Sequence, residues 1–308
     1  MLVSRLTAVC VAALLLVSAC GKSAATCPPV DGVALQVLGS GGPIADDGRA
    51  SSSYLVWVDG NARVLIDFGS GAFLRFGESG ARFEDLDFVG LSHFHTDHSA
   101  DFPALLKSGS FSARQRPLFV SGPGANGRFP GLKDWLQRML NTETGAYAYL
   151  SGFLDGTGGQ PMLVAKEVGG ETAALVYKSD DVSVEALTVP HGIVPAIAFK
   201  VTVDGEAVVF ASDQNGSKAE FVEFAQGASV LVMHLVVPET ATGVASRLHA
   251  RPSTVGAIGA RAVAGKLVLS HFMARSLTDI DTNVALVRKS YGGEVILAED
   301  LACVNVGR

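Results

Sequence analysis

Between Ser92 and Ser99 the chain reads SHFHTDHS, with three histidines and an aspartate inside six residues. A single histidine is usually a satisfied core or surface residue, but four such groups at this spacing point to a bound metal. The preceding Phe88-Val89-Gly90-Leu91 is apolar and reads as a buried strand. His93 and His95, two residues apart at its end, therefore point the same way, and Asp97 and His98 follow in the turn. Imidazole together with carboxylate suits zinc, with iron or manganese next, and four such groups can begin a site for two ions a few ångströms apart.

The rest of the chain supplies a scaffold for such a site. VALQVLGSGG, SSSYLVWVDGNARVLIDFG and FEDLDFVGLSH read as strands of a first half, the second of them a hairpin turning at Asp59-Gly60-Asn61. ADFPALLKSGSF and GLKDWLQRMLN have helical spacing, with PLFVSGP a buried strand between them. A second β-rich half runs from DVSVEALTVPH through a hairpin turning at Asp204-Gly205. ASVLVMHLVV, KLVLSHF and EVILAEDLACVNV then follow as strands, among the helices SKAEFVEFAQG and STVGAIGARAVAG. Two β-rich halves, each with helices, predict an α/β protein of two sheets packed face to face with helices outside. The stretch from Asn141 to Glu171 has no clean period, and an irregular segment of that length is usually functional. Its Tyr147, Tyr149 and Phe153 are candidates to wall a substrate pocket, plain packing being the alternative. GSGGP lacks the lysine of a P-loop and is expected to form a turn near the site.

The first nineteen residues, with Arg5 ahead of an apolar run from Leu6 to Val17, read as a signal peptide too short to span a bilayer. Val17-Ser18-Ala19-Cys20 resembles a bacterial lipobox, which implies lipid on Cys20. Residues 20–32 then form the tether and residues 33–308 the folded domain. Gly21, not aspartate, follows Cys20, so the expected address is the cell envelope, at the outer rather than the inner membrane, with membrane contact only through the lipid. With Cys10 in the signal and Cys20 lipidated, Cys27 and Cys303 remain of the four cysteines. In an oxidising compartment they are a candidate disulfide pinning both ends, free thiols being the alternative.

His93-x-His95-x-Asp97-His98 resembles the signature of the metallo-β-lactamase superfamily, whose fold is an αββα sandwich of two mixed sheets. The resemblance implies that His93, His95 and His191 hold one divalent ion, that Asp97, His98 and His271 hold a second, and that Asp213 bridges them. Asp67 matches a structural aspartate behind the ligands. His234 and His249 match histidines of the ribonuclease Z-like branch: His249 as a proton donor in catalysis, His234 as a supporting residue. Asp97 and Asp213 would orient a hydroxide shared by two ions, most simply zinc, for attack on an ester.

The true β-lactamases of the superfamily lack the bridging aspartate, which argues against that activity. Ribonuclease Z carries a tRNA-clamping arm where this chain has only the hairpin at Asp204-Gly205. The net charge of −6 comes without a basic cluster. The expectation is therefore a binuclear hydrolase of small anionic esters, aryl sulfates or phosphodiesters, with no nucleic-acid partner and no tRNA processing. LQVLGSGGPIADDGRASSSYLVWVDG and LVMHLVVPET look most like zinc-dependent arylsulfatases, and less closely like periplasmic cyclic-nucleotide phosphodiesterases. A lactonase or thioesterase and a non-catalytic metal-binding lipoprotein are the competing readings. The sequence does not fix the oligomeric state, a homodimer being one option.

Overall fold

The computed structural model describes Cys27 and residues 32–307; the predicted signal segment and Cys20 lie outside the described residues. The first half of the chain forms β1 (Val33–Gly39), β2 (Ser53–Val58), β3 (Asn61–Phe68), β4 (Phe88–Gly90), β5 (Leu118–Pro123) and β6 (Leu163–Val168). The second forms β7 (Ala174–Lys178), β8 (Val182–His191), β9 (Val194–Val203), β10 (Glu206–Phe210), β11 (Val230–His234), β12 (Lys266–Ser270) and β13 (Glu294–Leu297), before β14 (Cys303–Asn305) returns to pair with β1. The sheet orders are β14-β1-β2-β3-β4-β5-β6 and β13-β12-β11-β10-β9-β8-β7. Each sheet is mixed, because hairpins give its antiparallel part and helical crossovers its parallel part.

Period-two alternation explains why the strands read as nearly continuous apolar runs. Leu35, Val37, Tyr54, Val56, Val64 and Ile66 face the second sheet, while Leu38, Leu55, Leu65 and Phe68 face helices, so both faces of the sheet are covered. The first helical layer comprises α1 (Ala72–Glu78), the single turn α2 (Thr96–Ser99), α3 (Phe102–Gly109), α4 (Leu132–Leu140) and α5 (Gly152–Asp155). The chain continues with α6 (Ala219–Phe224), α7 (Gly243–Leu248), α8 (Pro252–Arg261), α9 (Ala274–Leu277) and α10 (Ile280–Arg288); α6, α8 and α10 cover the second sheet. Both hairpins turn on Asp-Gly pairs with positive φ, Asp59 and Gly60 at 48° and 75° and Asp204 and Gly205 at 49° and 83°, the geometry that matches strand twist.

Two sequence expectations change here. EVILAEDLACVNV is not one strand: β13 edges the second sheet and β14 the first. The Asp300 carboxylate in the crossing accepts from the backbone N–H groups of Ser40 and Ala50. The segment 141–171 contains α5 and the sheet-edge strand β6 rather than an irregular pocket wall. As an edge strand β6 is half exposed, which accounts for its weak apolar period. A disulfide joins Cys27 to Cys303, with 5.6 Å between their Cα atoms.

Candidate metal centre

The polar side chains of the centre sit at or just beyond strand ends on one rim of the sandwich. β4 delivers His93 and His95, α2 carries Asp97 and His98, and β8 ends on His191. Asp213 lies three residues past β10, β11 ends on His234, and His271 follows β12 directly. Close approach of the backbone makes this convergence possible. A Cβ at Gly69 would stand 2.1 Å from the Asp97 carbonyl oxygen, and one at Gly42 would stand 2.8 Å from the His271 ring, so both positions need glycine. Gly42 belongs to the GSGGP turn, which passes beside the centre.

The atoms that could ligate metal gather in two nests. His93 Nε2 lies 2.9 Å from His95 Nδ1, and His191 Nε2 lies 3.6 Å from Asp213 Oδ2. In the second nest His271 Nε2 lies 3.1 Å from both His98 Nε2 and Asp97 Oδ2. These separations bracket about 3.3 Å, the edge of a tetrahedron whose arms are zinc–ligand bonds. Asp213 stands between the nests: Oδ2 is 3.9 Å from His93 and 3.8 Å from His98, while Oδ1 is 3.4 Å from His271.

Residues behind the ligands fix their tautomers. Asp67 accepts from the Ser92 N–H at 2.7 Å, the Ser92 hydroxyl at 2.8 Å and His98 Nδ1–H at 2.7 Å, which aims His98 Nε2 inward at the second nest. His191 Nδ1–H donates to the Leu248 carbonyl at 3.1 Å, leaving its buried Nε2 without a hydrogen-bond partner. His234 Nδ1–H donates to Asp213 Oδ1 at 2.6 Å and so sets the rotation of that carboxylate.

Charge completes the test of whether divalent ions fit. Asp67, Asp97 and Asp213 are all buried, and none has a lysine or arginine salt-bridge partner among the described residues. Burial alone would raise the carboxyls of Asp97 and Asp213. The imidazoles outweigh it and hold both below the carboxylate range, chiefly His98 and His271 for Asp97, and His271 and His234 for Asp213. Burial likewise opposes charge on His98, yet Asp67 and Asp97 lift it to about 10. His271 is also raised against its burial, by Asp213 and Asp97. Burial lowers His93 and His95, with neighbouring histidines adding to the effect. Without metal the buried carboxylates thus draw their positive charge from protons on His98 and His271 while His93 and His95 stay neutral, and divalent ions can supply that charge in place of the protons.

His249 stands just outside the nests, with Nδ1 3.8 Å from Asp213 Oδ1 and no hydrogen-bond partner. Burial depresses its imidazole to about 4. A cavity of about 580 Å³ opens over the centre, walled by Pro43, Ile44, Phe94, Leu248, Met273 and Arg275. Another, of about 600 Å³ beside Phe73 and Phe111, is lined by no histidine and is not the reacting centre. Tyr147, Tyr149 and Phe153 do not line the cavity over the centre, a correction to the expected pocket wall. Phe153 is fully buried edge-on to Phe83, and Tyr149 is exposed with Lys107 over its ring. Phe94 and Arg275, which do line it, were legible only as neighbours of His93, His95 and His271.

A family model described as anti-Pycsar protein Apyc1 matches residues 33–289. The chain belongs to the Apyc1 family. This Apyc1-family chain is 29% identical over 286 residues to the ribonuclease Z of Mycobacterium marinum, covering 89% of the chain and 99% of that relative. Among solved structures it is similar to YhfI from Bacillus subtilis, a metallo-β-lactamase fold protein, at a TM-score of 0.69 and 20% identity over 89% of this chain and 99% of the other. The human short-form tRNase Z matches at the same TM-score and identity, over 89% of this chain and 100% of that one. The metallo-β-lactamase fold is therefore established.

These relatives overturn one expectation. The sequence reading set tRNA processing aside and excluded nucleic acid as a partner, yet the matched relatives are ribonucleases by name. Net charge is a sum over the whole surface and says little about the field at one rim. A two-residue turn between β9 and β10 removes no group from the reacting centre. Neither feature separates this Apyc1-family chain from ribonucleases.

Proposed function

We propose that this protein is a metal-dependent phosphodiester hydrolase, with the phosphodiester bonds of RNA within its reach. The observation that carries the reading is Asp213 standing between two three-residue nests, with His249 beside it on the same cavity. Divalent ions, zinc in the simplest case, would be held by His93, His95 and His191 and by Asp97, His98 and His271, with Asp213 shared. They would polarise a phosphoryl oxygen and make water more acidic. Asp97, which lines the cavity, would orient the attacking water. Arg275 at the mouth offers fixed positive charge to a non-bridging oxygen. His249 is neutral before substrate arrives; an anionic phosphoryl group beside it raises its proton affinity, so it can take up a proton and give it to the leaving oxygen.

The test compares turnover of a 3′-extended tRNA precursor, bis-4-nitrophenyl phosphate and 4-nitrophenyl sulfate by the zinc-loaded protein. Cleavage of either phosphodiester well above the sulfate supports the reading. Preference for the sulfate, or no turnover with two metals bound, overturns it.

We further propose export and lipid anchoring through Cys20, supported by the signal-like first nineteen residues and by a disulfide suited to an oxidising compartment. Cys20→Ser should release the protein from the membrane fraction; unchanged fractionation and no incorporated lipid would defeat that proposal.

A further inference from the structure

We propose that a second cavity, beside the metal centre and walled by Phe94, Phe129, Pro130, Trp135, Val194 and Pro195, is a subsite for one planar ring of the substrate. The proposal rests on the phosphodiesterase reading and deepens it. Phe94 and His95 line both this cavity and the one over the metals, so a group seated here is continuous with a phosphoryl group at the centre.

The walls are largely aromatic and nearly without polar groups. The Phe94 and Trp135 rings stack 4.7 Å apart and 8° from parallel, and Phe102 packs on Trp135 from 5.8 Å. Pro123, Pro130, Pro195 and Val194 fill out the sides, and His95 alone brings a polar side chain. α4 buries Leu132, Leu136 and Leu140 in the core, and this anchoring fixes Trp135 on the helix flank. The volume is about 180 Å³; apolar cavities of about 150 Å³ take up a benzene molecule. Water in such a hole finds few partners, so a ring that displaces it gains apolar burial and face contact. Recognition by flatness and fit, with one imidazole at the edge, selects for an aromatic ring rather than for a particular hydrogen-bonding pattern.

The experiment is calorimetric binding of phenyl phosphate and methyl phosphate to the zinc-loaded protein, which needs no turnover. Phenyl phosphate is expected to bind about tenfold more tightly or better, the scale of one stacked ring. Phe129→Ala, which removes a wall, and Val194→Trp, which fills the space, should each bring the ratio near one, while Phe129→Tyr should keep it. Failure of phenyl phosphate to bind, a ratio near one in the unaltered protein, or a ratio surviving both Phe129→Ala and Val194→Trp overturns the subsite. An intact ratio without turnover of any phosphodiester would defeat the phosphodiesterase reading alone.

Discussion

At Asp213 one carboxylate oxygen is engaged by His234 and the other faces both nests. Removing the carboxylate leaves each nest short of a ligand and the centre short of a negative charge. Asp213→Ala should lower bound metal, measured by elemental analysis, toward one ion or fewer per chain; two tightly held ions in that variant would refute the shared position. His249 touches no ligand through a hydrogen bond, so His249→Ala should spare metal content. Its effect on rate should grow with leaving-group pKa, because good leaving groups need little protonation. Equal losses across a series of aryl phosphodiesters would remove it from proton transfer. The polar residues of the centre were legible because six consecutive positions bring four of them together and the chain has only seven histidines to place. Phe94, Trp135 and Arg275 were not, since an aromatic or an arginine carries no mark of facing a cavity until distant strands assemble its other walls.

The elements act as a rim of strand ends, and their last residues pay for it in backbone conformation. Asp67, Ser212 and His271 take positive φ of 56°, 59° and 58°. Non-glycine residues in that region cost of order 1–3 kcal/mol each and persist only where surrounding contacts hold them. Gly69, where the end of β3 meets α2, shows how little room is left. Gly69→Ala would press a methyl into the Asp97 carbonyl, and no flexible side chain can yield there. Overpacking of this kind costs about 1–3 kcal/mol. The variant should melt earlier and bind its second metal more weakly; unchanged melting and metal affinity would show that the turn can shift freely. The element pattern was largely legible, Asp-Gly hairpins above all, because their turn chemistry is local. The split between β13 and β14 and the edge strand β6 were not, because which sheet a short strand joins is decided by partners far away in the chain.

For the molecule as a whole, the buried histidines make stability depend on pH when the metals are absent. His234 and His249 are held down to about 3 and about 4 by burial, and His93 and His95 are lowered too. In the unfolded chain these groups titrate near about 6.5, so below that pH the unfolded state binds more protons, and stability is lost as pH falls toward 4. His98 and His271 are raised instead. Their stabilisation is fully present below about 6.5 and adds no slope lower down. The metal-free protein should therefore show a falling Tm from about pH 5.5 to 4, less steep in His249→Asn. A flat or rising Tm over that range would contradict the buried, neutral state of these groups.

The disulfide between Cys27 and Cys303 spans 276 positions of the sequence. A protease that clips the exposed turn at Gly158-Gly159 therefore separates nothing. The two fragments stay covalently joined and run as one band until a reductant is added, and a nicked molecule keeps strand β14 tethered beside β1.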